Sequence, residues 1–218
     1  MAIDTSRSAG PLGQWLATMR AVLRNEQVAD VPCDGCVGCC VSSYAIPLRP
    51  ADKVALDAVP ARFLGLPAGG RLARMNHRPD GTCPMLEANR CTIYAERPQT
   101  CRDYDCRIYA ATGLLPDGNR PVIRERVLEW RFVIDTEAES AQGAALRRAA
   151  SFIREHAALF PPDARPGSAA AAAVLAVKCW PLFAGKDPSN EKGDEPEDPS
   201  PPEQVKRVLE AARAFDSR

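Results

Sequence analysis

Nine cysteines stand in this chain, and eight of them fall in two groups. The first group is Cys33-Asp34-Gly35-Cys36-Val37-Gly38-Cys39-Cys40, and the second is Cys83, Cys91, Cys101 and Cys106. Thiolates set this close hold a soft metal ion, hold an iron–sulfur cluster, or pair as disulfides. An odd total and the vicinal pair Cys39-Cys40 make complete disulfide pairing awkward. The N-terminal residues show no continuous apolar run ahead of a small-residue cleavage site. The expectation is therefore a cytoplasmic protein whose thiols stay reduced, and metal ligation is the chemistry its cysteines favour.

Spacing sharpens this reading. A C-x2-C hairpin lets two sulfurs converge while backbone N–H groups turn toward them, as in zinc knuckles and ferredoxins. Cys33, Cys36 and Cys39 have the spacing of the first three ligands of a bacterial ferredoxin run, but Cys40 follows at once where that run places its fourth cysteine later. Adjacent side chains point apart, so Cys39 and Cys40 are expected to serve different metals, or one of them to stand behind the ligands. Cys101 and Cys106, five residues apart, lie about 140° from each other around an ideal helix and share no face unless that helix breaks. Eight sulfurs divide most simply into two four-sulfur sites; one four-cysteine centre with spare thiols is the next option.

Four thiolates on Zn²⁺ leave a net charge of about −2. Arg90, Arg97, Arg102 and Arg107 run through the second group, either as solvated cations or as donors to sulfur. Asp103, Tyr104 and Asp105 lie between two candidate ligands; carboxylates there would extend a site toward iron, and otherwise form a solvated helix face. His77 precedes the second group in a loop and is more simply solvent-facing than a ligand; His156 reads as a surface or packing residue. Tyr94 and Tyr109 read as packing, and Cys179 as a buried small hydrophobe. No Ser-His-Asp arrangement, phosphate loop or paired-carboxylate signature stands in a persuasive context.

The elements that must position these residues are mostly helical. Leu12, Trp15, Leu16, Met19 and Leu23 recur at helical spacing within 11–26. Pro50 suits the first turn of a helix carrying Val54, Leu56 and Val59, and Pro98 suits the start of one running to about Thr112 and ending near Gly113. Leu64 to Asp80 reads as loop. Cys91 to Tyr94 reads as a short extended or turn segment. Leu128, Trp130, Phe132 and Ile134 alternate as in a strand over 127–134, although Val127, Trp130 and Ile134 also fit a helix. Residues 141–160 and 168–179 are Ala-rich helices. Prolines and acids crowd 186–204, a linker that cannot bury a core, and Val205 to Phe215 is a last amphipathic helix that either docks back or stays mobile. Lys plus Arg and Asp plus Glu number 28 each, so the chain has no net field for nucleic acid or an anionic membrane, and no apolar run is long enough to span a bilayer.

The strings Cys33-x2-Cys36-x2-Cys39-Cys40, Ile46-Pro-Leu-Arg-Pro50, Gly81-Thr-Cys-Pro-Met-Leu86 and Cys91-Thr-Ile-Tyr-Ala-Glu-Arg-Pro-Gln-Thr-Cys101-Arg102 resemble the cysteine-cluster family called the CxxCxxCC or YkgJ type. The resemblance covers about residues 31–112. It implies a zinc- or iron-chelating domain, and flagellin lysine N-methylases carry a related cluster. No glycine-rich motif for S-adenosylmethionine and no C-x3-C-x2-C spacing accompanies it here.

The reading is thus a mainly α protein with irregular loops and few short strands, a small metal-organised cysteine-cluster domain. An amphipathic helix (1–30) precedes the cluster domain (31–112); an extension packing on it (113–182), the linker (183–204) and a C-terminal helix (205–218) come after. The expected ligands are Cys33, Cys36, Cys39, Cys40, Cys83, Cys91, Cys101 and Cys106. The expected centre is an iron–sulfur cluster, [4Fe–4S] first, and/or Zn²⁺. The function is metal binding; the alternatives are an Fe–S oxidoreductase or electron carrier and, behind it, a methyl-transfer enzyme. A protein partner would dock through the terminal helices, with no nucleic acid and no membrane insertion.

Overall fold

The computed structural model describes residues 6–32, 35–44, 46–65, 73–185 and 199–217. Cys33, and residues 186–198 of the expected linker, lie outside them. The elements in chain order are β1 (Arg7–Pro11), α1 (Leu12–Leu23), β2 (Ile46–Leu48), α2 (Lys53–Ala58), β3 (Leu64–Gly65), β4 (Ala73–Met75), β5 (Leu86–Glu87), β6 (Arg90–Cys91), α3 (Gln99–Asp103), α4 (Arg107–Thr112), α5 (Pro121–Glu129), β7 (Trp130–Val133), α6 (Glu137–Glu155), α7 (Ala169–Cys179) and α8 (Pro201–Asp216). Among the described residues the protein is mainly α, with short strands and irregular connections. Among the described residues no helix is long and apolar enough to cross a membrane. The chain condenses into two compact units: 1–27 with 106–119 and 127–218, and 28–105 with 120–126.

The helical unit is built by amphipathic helices of ordinary kind. The α6 helix starts on Thr136, whose hydroxyl accepts from the Glu139 N–H at 3.1 Å, while Glu139 Oε2 accepts from the Asp135 N–H at 2.9 Å. The sequence Thr-x-x-Glu is the reason, since each side chain satisfies an amide the first turn leaves open. The α7 helix starts on Ser168, which accepts from Ala171 N–H at 3.1 Å. Their alanines pack flush: Ala145, Ala149, Ala150, Ala172, Ala173 and Ala176 have no exposure, and neither has Leu146. Gly143 is required in α6, because a Cβ there would stand 2.8 Å from Leu12 Cδ2 of α1. The α8 helix buries Val205, Val208, Ala212 and Phe215, with Phe215 beneath the guanidinium of Arg20 (4.6 Å) and Lys178 bonded to Asp216 (2.6 Å). Of the two expectations for this helix, docking back is the one observed. The strand signal over 127–134 resolves into the end of α5 followed by β7, which pairs in parallel with β1.

The cysteine-bearing unit has much shorter elements. Strands β2, β4 and β3 form an antiparallel sheet in that order, with Ile46 opposite Met75 and Leu64 opposite Met75 on the other side. Pro47 is tolerated because β2 is an edge strand. Two of these strands fall in the segment expected to be loop; at two and three residues they are too brief to show an alternating pattern. β5 and β6 form a hairpin, Leu86 opposite Cys91. Its turn, Ala88-Asn89, has φ of 45° and 60° at the two positions, as a two-residue hairpin turn of the right twist demands. The apolar centre of this unit is Ile46, Leu48, Ala55, Val59, Met75 and Met85, and Cys83 is buried with them. Cys40, Cys91 and Cys101 pack on the same cluster, so sulfur makes up much of what this unit encloses.

Candidate metal centre

Charge interactions link Cys39 with Cys83, Cys91 and Cys101, and Cys40 with Cys39, Cys83 and Cys91. Three pieces of backbone bring them together. Cys39 and Cys40 sit on a single 3-10 turn, Gly38–Val41. The Cys83 amide donates to the Cys40 carbonyl at 2.7 Å, tying the second cysteine segment to the first. The Thr92 amide donates to the Met85 carbonyl at 2.9 Å, which folds the β6 end, with Cys91, back over the Cys83 turn. Cys101 arrives separately, at the centre of α3.

The sulfurs are met by backbone N–H groups. The Gly38 amide donates to Cys36 Sγ at 3.3 Å. The Met85 backbone amide lowers the Cys83 pKa, and the Ile93 amide that of Cys91, each against the larger effect of burial. In all three the donor lies two residues after the cysteine, and each bond favours the ionised sulfur. Cys39 receives its own amide and that of Cys40.

Cys39 and Cys40 share one 3-10 turn. The neighbouring Cys40 thiol, above all, draws the Cys39 pKa down to about 7, against burial, with smaller help from backbone amides and the charge of Arg97. Cys40 keeps its proton far above the usual thiol range, first because it is the donor and next because it is buried beside other sulfurs. Burial is the first cause pushing Cys83 and Cys91 up and raising Cys101 to about 12, with neighbouring sulfurs adding to it. A cation bound at these sulfurs would displace protons that burial holds on them.

Arginines shape the rim. Arg97 lowers Cys39, Cys91 and Cys101 by its charge, and is held by the Tyr94 carbonyl (2.8 Å) and over the Tyr94 ring (4.2 Å). Arg102 bonds the carbonyls of Arg97 (3.0 Å) and Ala95 (2.6 Å) and so fixes that loop rather than a sulfur. Arg78, which sequence reasoning passed over, bonds the Pro84 and Leu86 carbonyls, both at 2.8 Å, and lowers Cys83. Its place six residues before Pro84 carried no motif. Asp103 pairs with Arg49 at 3.1 Å and accepts from Gln99 at 2.6 Å. Tyr104 stacks on Tyr44 with ring centroids 5.3 Å apart. His77 is half-buried, and its pKa falls, first by burial and then by the charge of Arg74.

Two cysteines stand elsewhere. The helix expected from Pro98 to Thr112 breaks after Asp103 and restarts at Arg107, and Gly113 ends it in the left-handed region at φ 73°. Cys101 falls before the break and Cys106 after it, in the helical unit. There Cys106 Sγ accepts the indole N–H of Trp130 at 3.2 Å, and both side chains are buried. Cys179 is fully buried in α7, which lifts its pKa to about 12. Among the described residues no three His, Cys, Asp or Glu side chains stand in metal-holding geometry.

Residues 32–113 match the CxxCxxCC family, described as "Putative zinc- or iron-chelating domain". The match takes in every clustered cysteine, from Cys33 to Cys106. Outside it lie α1, most of the helical unit and α8. No curated protein and no solved structure matches the chain. The CxxCxxCC description names zinc or iron, and cysteine sulfur is a donor that suits either.

Proposed function

We propose that the CxxCxxCC stretch binds metal at one cysteine-ligated centre within the unit 28–105. The observation that carries this is the repeated N–H···S contact, two residues after Cys36, Cys83 and Cys91. An isolated buried thiol has no use for it. A thiolate on a metal does, since the bond disperses charge that the ion only partly neutralises. The proposed ligands are drawn from Cys36, Cys39, Cys40, Cys83, Cys91 and Cys101, with Cys33 added on its spacing alone. One centre is favoured over two because Cys39 interacts with Cys40, Cys83, Cys91 and Cys101 alike. Cys106 is left out because it falls outside the unit 28–105.

Iron, as a [4Fe–4S] cluster, is the metal we favour. Its support is the ferredoxin-like C-x2-C-x2-C opening. When bound, such a cluster would supply electron transfer, and the protein would serve as an electron carrier or Fe–S oxidoreductase. Zinc, which the family description names equally, would make it a structural module.

Anaerobic purification followed by metal and acid-labile sulfide analysis decides among these. Iron with sulfide and a broad visible absorption is the expected result. Colourless protein with one zinc per chain would replace the cluster by zinc and keep the centre. A chain that arrives without metal and takes up neither iron nor zinc would overturn the proposal. Replacing Cys36 or Cys101 by Ser is expected to lower metal content and the thermal midpoint together.

A further inference from the structure

Asp52 begins α2 but does not cap it. It is the N-cap residue of that helix, and its side chain makes no capping bond there. Asp at this position ordinarily accepts from the first-turn amides of its own helix. Here both carboxylate oxygens are turned to other segments. Oδ2 accepts the Arg49 amide at 2.7 Å, and Oδ1 accepts the Gln99 amide at 2.9 Å, from a residue far along the chain. Gln99 is the first residue of α3, and the N-cap before it is Pro98, which has no side chain able to cap. So Asp52 caps α3 from outside.

The contact is one strand of a larger clamp. Thr100 Oγ1 donates to the Pro47 carbonyl at 2.9 Å. Arg49 reaches Asp103 at 3.1 Å, and Gln99 Nε2 reaches the other oxygen of Asp103 at 2.6 Å. Every partner on one side lies in 47–52, and every partner on the other in 99–103. The second set brackets Cys101, whose own amide is fixed by the Pro98 carbonyl at 2.8 Å. The Ile46-Pro-Leu-Arg-Pro string, which contains no ligand, has its role here: it is the surface to which the Cys101 helix is fastened.

We propose that Asp52 is a positioning residue for Cys101, holding α3 so that this sulfur meets Cys39, Cys83 and Cys91. The inference rests on the metal-centre reading above. It differs from a general stabilising role, because it concerns one sulfur and leaves Cys83 and Cys91, set by the Cys83–Cys40 and Thr92–Met85 backbone bonds, in place.

The test is site-resolved alkylation. Protein purified anaerobically with its metal, and the same protein stripped by chelator, are treated with iodoacetamide and each cysteine is followed by peptide mass spectrometry. The variants are D52A, the milder D52N, C101S and D52A/C101S. In the natural chain, metal is expected to protect Cys83, Cys91 and Cys101. In D52A, metal affinity is expected to fall about 10–100-fold, as for other residues that orient ligands. Cys101 should react at the stripped rate, and the other sulfurs should behave as they do in C101S. D52N, whose amide oxygen can still accept one N–H, should fall between. The double variant should bind metal no more weakly than C101S, because the helix then carries no ligand to position. Cys101 protection unchanged in both Asp52 variants overturns the proposal, as does a double variant clearly weaker than C101S, which is the mark of a merely stabilising contact. Equal reactivity with and without metal in the natural chain would instead overturn the metal centre itself, and this inference with it.

Discussion

In the helical unit, α1 starts directly after Pro11, and the Gly13 amide in its first turn is accepted by Glu139 Oε1 at 3.0 Å, far along the chain. In the cysteine-bearing unit, α3 starts directly after Pro98, and its Gln99 amide is accepted by Asp52. The device is the same: proline presets the first turn but cannot cap it, so a carboxylate from another segment supplies the acceptor. Beyond the cap the two helices differ. Helix α1 carries Trp15, Leu16, Met19 and Val22 into an apolar core, whereas α3 has five residues, no fully buried side chain, and Cys101. A twelve-residue amphipathic helix is held by its buried face, but a five-residue one is too short to hold itself. In the helical unit the cap trims an arrangement that packing already determines. In the other it does much of the positioning.

Removing the metal is the strongest way to test whether the two units rest on different foundations. Chelation is expected to open amides across 28–105 to hydrogen exchange while α6 and α7 stay protected. Structural thiolate sites contribute on the order of 10 kcal/mol, and little else in the cysteine unit is of that size. Equal loss of protection in both units would show that the helical core is not self-sufficient. No loss in either would show that the sulfur-lined centre stands without metal.

The next test separates two cysteines only five positions apart. C106A is expected to leave metal per chain unchanged and to lower the stability of the helical unit by about 1–3 kcal/mol, since it leaves the buried Trp130 indole N–H without its sulfur acceptor. Metal content and the thermal midpoint, read beside C101S, check it. If C106A loses metal as C101S does, the eighth sulfur belongs to the centre after all.

How much of this was legible in the sequence depended on element length. Helices α1, α6, α7 and α8 were legible, because each repeats its apolar spacing for several turns and two begin with a Ser or Thr cap. The cysteine strings identified the chemistry. What they could not convey was how the sulfurs are shared out, because that turns on three backbone facts without a periodic signature. One is the 3-10 turn that brings Cys39 and Cys40 together; another is the break after Asp103 that parts Cys101 from Cys106. The third is the set of two- and three-residue strands on which Pro47 and Arg74 pair. Asp52 was hidden for a different reason. An acid two residues after Pro50 reads as an ordinary helix start, and only the fold shows its carboxylate turned to another helix.

The smallest expected effect bears most directly on the comparison of caps. E139A removes the acceptor for Gly13 and, with it, half of the α6 capping pair, so the helical unit should lose a small part of its stability. The Asp135 amide first, and the Gly13 amide next, hold the Glu139 carboxyl below its ordinary pKa. A folded-state pKa below the unfolded value contributes stability that is present above the unfolded pKa and is lost as pH falls through the folded one. The difference in midpoint between the natural chain and E139A should therefore shrink as the solution is acidified below the ordinary glutamate range. Sulfur reactivity should not change at any pH where both fold. Denaturation of the two proteins across acidic pH, with alkylation of Cys101 as the second readout, measures both. A change at Cys101 in E139A would mean that any loss of a helix cap reaches the sulfurs. The distinction drawn for Asp52 would then fail, because the two carboxylates would be doing the same thing in both units.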